Sequence, residues 1–301
     1  MSDLTTVVCA TDLSEGSNKA LYLAAFIAER FQAKLVVANI IDLPAVTPYG
    51  ETMVDPQELQ ARVTQSATSQ ISEILTGYPE GFWELRVSIG YPTKELKQIV
   101  HDTGAGLLVA ATHIRSGFER LLLGSVTRKL IGTINVPFLV VPGALPFERR
   151  AIHRTESILI STDFSSYSEG AVKIGLQFAR TFGVSFTLVT VMESSQLDQI
   201  LNMDPQKEND LAQKFTDELK SRLYSLIPDD LRDKAKVQVL AGHPHEELNK
   251  FAILNDMDLI VVGIHGRGFI ENFIVGSTTD RLVRVGQFPV LAVRAEADKV
   301  S

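Results

Sequence analysis

Ten short runs of apolar residues are distributed along the chain, and most of them show no alternation between apolar and polar positions. Leu259-Ile260-Val261-Val262 is typical, and an uninterrupted run of this kind indicates a strand buried on both faces of a parallel sheet. Longer segments with apolar residues at helical spacing, such as 168–182 and 245–255, separate the runs. The predicted strands are 5–11, 34–41, 84–89, 106–111 and 137–141, followed by 157–162, 185–192, 236–240, 258–263 and 289–294. This alternation predicts an α/β fold with parallel sheets flanked by helices.

The second half of the chain repeats the first. Thr11-Asp12-Leu13-Ser14 returns 151 residues later as Thr162-Asp163-Phe164-Ser165, and Gly90-Tyr91-Pro92 returns 152 residues later as Gly242-His243-Pro244. Repetition at a nearly constant offset indicates two copies of one structural unit. Residues 142–154 carry two prolines, a glycine and no apolar periodicity, which predicts a linker. We therefore predict two tandem domains, at 1–145 and 155–301, each with a five-stranded sheet.

Composition and charge narrow the functional classes. The chain has 301 residues, of which 45% are hydrophobic and 22% charged, and this balance indicates globular domains. A net charge of −7 argues against a general nucleic-acid or membrane-surface binder. The single cysteine, Cys9, excludes an intrachain disulfide and a multi-cysteine metal site. No apolar stretch approaches the roughly 18 residues that span a bilayer, so we expect a soluble, cytoplasmic protein.

A glycine-rich segment follows the fourth predicted strand of the second copy. It begins Gly263-Ile264-His265-Gly266-Arg267, and nine residues separate Gly266 from Gly276-Ser277-Thr278-Thr279, where a helical window begins. Glycines let backbone N–H groups approach a ligand, and a helix N-terminus favours anions, so these parts suit phosphate groups. A tight loop without a ligand is the alternative interpretation. The P-loop of common ATPases is absent, and Glu271 stands where the dinucleotide fingerprint requires a small residue.

The spacing Gly-x2-Gly-x9-Gly-Ser, from Gly263 to Ser277, resembles the nucleotide motif of the universal stress protein family. A first strand ending in Ser161-Thr162-Asp163 and a Gly-x-Pro before the third helix agree with this resemblance, and both copies are similar to the family over their whole length. The resemblance implies two tandem Rossmann-like domains of the adenine nucleotide alpha hydrolase type. Each would contain a five-stranded parallel sheet flanked by helices.

The resemblance also implies a role for each residue of the second domain's motif. Asp163 would accept hydrogen bonds from the ribose or lie beside the adenine, with Ser161 and Thr162 next to it. The remaining implied contacts are Val191 at the adenine, Val262 and Gly263 beneath the nucleotide, Gly266, Gly276, Ser277, Thr278 and Thr279 at the phosphates, and His265 and Arg267 at the edge. The ligand would be ATP or AMP, accompanied by Mg²⁺. Helix capping remains the alternative role for Asp163.

The first copy departs from the motif at two positions. Ala111 replaces Gly263, and Ile114 replaces Gly266. A β-branched isoleucine disfavours positive φ and adds bulk where a phosphate would approach. The motif residues that the first copy retains are Asp12, Arg115, Gly117, Gly124, Ser125 and Thr127. We predict that the first domain is a scaffold or a weak site.

Three functional hypotheses follow from these patterns. The first is a regulatory module of the stress response that binds an adenine nucleotide in its second domain and signals to an unknown protein partner, as a homodimer of tandem chains. The second is slow ATP hydrolysis or phosphoryl transfer in the same site, although no catalytic residue is evident. The third is a nucleotide-free interaction scaffold. His243 and His245 precede a helix without an evident third ligand, which favours a polar helix start over a metal site.

Overall fold

The computed structural model describes residues 4–42, 55–112, 125–146, 155–193, 208–264, 276–285 and 287–294. The chain divides into two compact units, Met1–Arg154 and Thr155–Ser301, which are called unit 1 and unit 2 below. Among the residues in these ranges, no helix has the length and apolar character needed to cross a membrane.

Unit 1 is a doubly wound α/β unit. Its described elements are β1 (Thr6–Thr11), α1 (Glu15–Phe31), β2 (Lys34–Asp42), α2 (Pro56–Ile74), β3 (Trp83–Gly90), α3 (Pro92–Thr103), β4 (Leu107–Ala111), α4 (Ser125–Thr133) and β5 (Phe138–Val141). The strands lie in the order β3-β2-β1-β4-β5, and each neighbouring pair is parallel.

Unit 2 repeats this architecture. Its described elements are β6 (Ser157–Ser161), α5 (Ser166–Phe182), β7 (Ser185–Met192), α6 (Glu208–Ser225), a 3₁₀ helix (Asp229–Lys234), β8 (Ala235–Ala241), α7 (Pro244–Leu254), β9 (Leu259–Gly263), α8 (Ser277–Val285) and β10 (Val290–Val293). The parallel order is β8-β7-β6-β9-β10. Each predicted strand begins and ends within one residue of an observed strand, so the predicted fold class is confirmed.

The central strands are buried on both faces, as their uninterrupted apolar runs indicate. Ile158, Leu159 and Ile160 of β6 are all 0% exposed. Because successive side chains of a strand point to opposite faces, helices must cover both sides of the sheet. Burial of one such side chain contributes about 1.5–3 kcal/mol. α5 approaches β6 so closely that a Cβ on Gly175 would lie 2.8 Å from Cδ1 of Ile160.

The strand order reverses beside the first strand of each unit. In unit 1 the neighbours of β1 are β2 and β4, and in unit 2 the neighbours of β6 are β7 and β9. In sheets of this kind, the helices leave the two strands toward opposite faces, and ligands bind at the carboxyl ends of these strands. In unit 2, we therefore expect the candidate site among the residues that follow β6 and β9.

Candidate functional site

The turn after β6 is organised by the hydroxyl group of Thr162. The N–H of Thr162 donates to the carbonyl of Val189 at 2.9 Å. Its Oγ1 accepts from the N–H of Phe164 at 3.0 Å and lies 2.9 Å from Oγ of Ser168 in α5. These bonds hold Phe164 at a φ of 61°, a left-handed conformation that costs a non-glycine residue about 1–2 kcal/mol. The turn therefore leaves β6 sharply and places Asp163 at the carboxyl edge of the sheet.

Asp163 is fixed within this turn by Ser165. Its Oδ1 accepts from the backbone N–H of Ser165 at 3.0 Å and from Oγ of Ser165 at 2.6 Å. Hydrogen bonds to a carboxylate are shorter and stronger than those between neutral groups. The carboxylate of Asp163, which is half-buried, is thus positioned by its own loop before any ligand arrives. Asp163 is not the cap of α5, since Ser165 is the N-cap residue and the hydrogen bonds of Asp163 described above both go to Ser165.

The turn after β1 has nearly the same hydrogen bonds. Oγ1 of Thr11 accepts from the N–H of Leu13 at 3.0 Å and lies 2.9 Å from Oγ of Ser17, and Leu13 has a φ of 64°. The N–H of Ser14 donates to Oδ1 of Asp12 at 3.0 Å. One difference separates the units, because Oγ of Ser14 accepts from the N–H of Ser17 as a helix cap at 3.2 Å. In unit 2 the corresponding hydroxyl donates to Asp163 instead.

The N-terminus of α8 is attached to the end of β9. Oγ1 of Thr279 donates to the carbonyl of Gly263 at 2.8 Å, and the N–H of Gly276 donates to the carbonyl of Ile264 at 2.7 Å. Thr279 is 1% exposed, whereas Ser277 is exposed and Thr278 is half-buried. In the first turn of α8, Ser277 and Thr278 are therefore accessible to solvent, while the hydroxyl of Thr279 forms the hydrogen bond that attaches the helix to β9.

The first turn of α8 also contains an acidic residue, Asp280. A carboxylate here would repel a phosphate group, but Oδ2 of Asp280 accepts from Nε of Arg284 at 2.6 Å. This ion pair offsets part of the negative charge of Asp280, so the positive end of the α8 dipole is opposed less strongly.

The structure brings most of the predicted site residues to one edge of the unit 2 sheet. Ser161 ends β6 and Thr162 and Asp163 follow it directly, and this strand lies between β7 and β9. Near the ends of the neighbouring strands lie Val191, Val262 and Gly263, and α8 begins with Gly276, Ser277, Thr278 and Thr279. His265, Gly266 and Arg267 lie outside the described residues, so their roles stay predictions.

The edge of unit 1 is covered by its own chain. Lys19 of α1 is 4% exposed, and its Nζ donates to the carbonyl of Gly143 at 3.0 Å and lies 3.2 Å from Oε1 of Glu15. The N–H of Gly143 donates to Oγ1 of Thr112, which directly follows β4, at 3.1 Å. The segment after β5 is thus held over the end of β4 and against α1. Sequence reasoning missed this contact, because the partners of Lys19 are distant along the chain.

His245, which the sequence offered as a possible metal ligand, and Cys9, the single thiol, both have structural roles. Nη1 of Arg281 in α8 lies 3.3 Å from Nε2 of His245 in α7, and burial together with Arg281 lowers the pKa of His245. A neutral imidazole that accepts from Arg281 joins the two helices.

Burial raises the pKa of Cys9 to about 12, so this thiol does not act as a nucleophile. The described residues contain no group of three His, Cys, Asp or Glu side chains that could hold a metal ion.

Comparisons with known proteins agree across both units. The model of the universal stress protein family matches residues 4–142 and again residues 155–294. A universal stress protein of Methanocaldococcus jannaschii is 28% identical over 153 residues, covering 46% of this chain and 94% of its own length. One from Mycobacterium tuberculosis is 22% identical over 295 residues, which is 96% of either chain. A solved universal stress protein from Archaeoglobus fulgidus shares the fold at 18% identity with a TM-score of 0.68, covering 98% of this chain and 100% of its own.

Proposed function

Because the chain belongs to the universal stress protein family, with one match to the family in each unit, we propose that it is a regulatory module that binds an adenine nucleotide in unit 2. The observation that carries this proposal is the attachment of α8 to β9. The hydrogen bond from Thr279 to Gly263 holds a helix N-terminus beside the strand reversal. The turn that carries Asp163 ends the neighbouring strand, so an anion site and a carboxylate share one edge.

The two parts of the site would bind opposite ends of the nucleotide. Asp163, held by Ser165, would accept hydrogen bonds from the ribose or lie beside the adenine. The backbone N–H groups of Gly276 and Ser277 and the hydroxyls of Ser277 and Thr278 would donate to phosphate oxygens. Both parts are positioned before the ligand binds, which reduces the entropic cost of association. His265, Gly266 and Arg267 would complete the contacts.

The residues present fit ATP or AMP better than they fit a metal held by protein alone. Mg²⁺ usually keeps several waters and binds through substrate phosphates with one or two carboxylates. The described part of unit 2 offers an anion-binding helix start but no cluster of metal-binding side chains. We therefore propose that Mg²⁺ accompanies the phosphates.

Unit 1 has the role of a scaffold or weak site in this proposal. Ala111 and Ile114 replace two motif glycines. The described residues add a second reason, since Lys19 holds the segment around Gly143 over the end of β4. A nucleotide in unit 1 would have to displace a buried lysine from its acceptor, which costs free energy because the charge would lose its partners.

Mass spectrometry of small molecules released from the denatured full chain tests the proposal, followed by calorimetric titration with ATP and Mg²⁺. We expect one adenine nucleotide per chain, and we expect binding to weaken in Ser277→Ala. The matched control is Ser125→Ala at the corresponding position of unit 1, which should leave binding unchanged. Two equivalent nucleotides per chain, or none under saturating ATP, would contradict the proposal.

Three further experiments test parts of this proposal. In the first, phosphate release that disappears in Ser277→Ala would identify a slow ATPase or phosphotransferase instead of a binding module. Size-exclusion chromatography with light scattering tests the proposed homodimer of tandem chains. Hydrogen exchange with and without ATP would show whether a surface outside the site responds, as signalling to a regulatory protein partner requires.

A further inference from the structure

A groove lies between α5 and α6 on the side of unit 2. It is open to solvent along one side and has a volume of about 600 Å³, within the usual range for small-molecule sites. Val172 and Leu176 of α5 form the buried part of its wall, each 6% exposed, and Leu226 lines the opposite side. The groove is therefore apolar within, and its residues are distinct from the first turn of α8.

The rim of the groove is charged. Lys173 and Arg222 contribute two cations, and Glu169 contributes one carboxylate, so the described lining residues have a formal charge of +1. Within the part of the chain that the structure describes, neither Lys173 nor Arg222 forms an ion pair. Among the described residues, the two cations therefore have no anionic partner.

Arg222 is held in position by an aromatic ring. Its guanidinium carbon lies 4.2 Å from the centroid of the Phe164 ring, which also lines the groove. A guanidinium stacked on a ring keeps its N–H groups available at the edge, where they can bind a carboxylate in bidentate fashion. The stacking limits the rotation of a long side chain and reduces the entropy lost when an anion binds.

Unit 1 provides an internal comparison. The positions that correspond to Phe164, Glu169, Lys173 and Arg222 are Leu13, Asn18, Tyr22 and Gln70. The register of the second helix is supported by Ile71 and Leu223, which correspond and are both 0% exposed. All four unit 1 residues are uncharged, so the same fold forms without the charges. The rim charge of unit 2 is therefore not a requirement of folding.

We propose that this groove binds a small monocarboxylate with an apolar tail. The tail would contact Val172, Leu176 and Leu226, and the carboxylate would bind Arg222 and Lys173. Glu169 at the same rim disfavours a second negative charge by repulsion, which selects a monoanion over a dicarboxylate or a phosphate ester. The formal charge of the occupied lining would then be zero.

The groove adjoins the turn that holds Asp163. Phe164 lies beneath Arg222, and its N–H donates to Oγ1 of Thr162, whose side chain also lines the groove. A carboxylate that restrains Arg222 would restrain this turn as well. The ligand would thereby raise the affinity of the site at Asp163, and this coupling, unlike the binding itself, rests on the proposed nucleotide function.

Octanoate, used below its micelle concentration, is the probe for calorimetric titration of the full chain. We expect saturable binding of one octanoate per chain, with 1-octanol and the dicarboxylate suberate each about tenfold weaker. Arg222→Gln should lose about tenfold in octanoate affinity. The matched control is Arg62→Gln, which removes an exposed arginine from α2 of unit 1 and should change nothing.

Three results would overturn the proposal. Equal octanoate affinity in Arg222→Gln and in the unmodified chain would show that the cations do not bind the carboxylate. Equal binding of 1-octanol would show apolar partition alone. Displacement of octanoate by ATP would place it in the nucleotide site instead of the groove. A chain that binds octanoate but no nucleotide would refute the proposed function while leaving the groove proposal intact.

Discussion

Units 1 and 2 share a fold and the turn after their first strand, yet they differ at the sheet edge where a ligand would bind. Thr11 and Thr162 make the same hydrogen bonds, and the residues after them have nearly equal positive φ angles. In unit 1, buried Lys19 then holds the chain around Gly143 over this edge, whereas the corresponding residue of unit 2 is Gly170. The turn is therefore a property of the shared fold, whereas a few side chains decide whether the chain itself covers the edge of the sheet.

The same comparison applies to the attachment of the last helix. Oγ1 of Thr279 lies 2.8 Å from the Gly263 carbonyl, while Oγ1 of Thr127 lies 3.5 Å from the Ala111 carbonyl. The hydrogen bond to the motif glycine of unit 2 is thus shorter than the bond to the alanine that replaces it in unit 1. The tighter attachment supports the proposed anion site of unit 2.

The largest expected effect comes from Gly143→Ala, which disturbs the cover of unit 1. A Cβ on Gly143 would lie 2.3 Å from the backbone oxygen of Thr112, which has little room to move. We expect the free energy of unfolding of unit 1 to fall by about 3 kcal/mol. Urea unfolding followed by the fluorescence of Trp83, the single tryptophan, reports on unit 1 alone.

The control for this variant is Gly106→Ala. Its nearest contact would be the flexible end of the Leu4 side chain at 2.8 Å. A side chain can move at small cost, so we expect a loss below about 1 kcal/mol. Equal losses of unfolding free energy in Gly143→Ala and Gly106→Ala would contradict rigid packing of the segment around Gly143 against the end of β4.

The second effect separates the two units by ligand binding. Asp163→Asn should reduce nucleotide affinity by about 10- to 100-fold, because it removes a charged acceptor. Asp12→Asn should leave affinity unchanged, although it alters the same turn hydrogen bond. Calorimetric titration of ATP into both variants measures the difference. Comparable losses in the two would mean that unit 1 also binds, and unchanged affinity in Asp163→Asn would remove Asp163 from the site.

The third effect concerns the attachment of α8. Thr279→Val should reduce the free energy of unfolding by about 1–2 kcal/mol, because the partly buried carbonyl of Gly263 loses a donor. Thr127→Val should cost less than half as much, since its hydrogen bond is long. Urea unfolding followed by circular dichroism compares the two variants. A larger loss for Thr127→Val would contradict the tighter attachment in unit 2.

The smallest effect is the pH dependence that His245 gives to the stability of unit 2. The pKa of His245 is lowered in the folded chain, so as pH falls below about 6.5 the unfolded state binds a proton before the folded state does. His245 therefore stabilises the fold above this pH and loses that contribution on acidification. His245→Gln should give a flatter stability profile between pH 7 and pH 5 in urea unfolding series, and an unchanged slope would exclude His245 as the source. The corresponding residue of unit 1 is Thr93, which does not titrate.

The local patterns of the sequence predicted the fold closely. The run at 185–192 matches β7 (Ser185–Met192), and the run at 84–89 lies inside β3 (Trp83–Gly90). These predictions succeed because burial on both faces of a parallel strand leaves an uninterrupted apolar run, and because the repeat supplies each pattern twice. Most of the predicted site residues could be placed at one edge of the sheet, because they follow parallel strands whose carboxyl ends lie together.

Other features were decided by tertiary structure alone. The burial of Lys19, the use of the Thr279 hydroxyl in the attachment and the stacking of Arg222 on Phe164 all join residues that are distant in sequence. Hydrophobic periodicity reports only which face of an element is buried, whereas the partner of a polar side chain depends on how the elements pack. The strands, the repeat and the family can thus be predicted from local patterns, whereas the polar groups that cover an edge or stay exposed there follow from the packing of the elements.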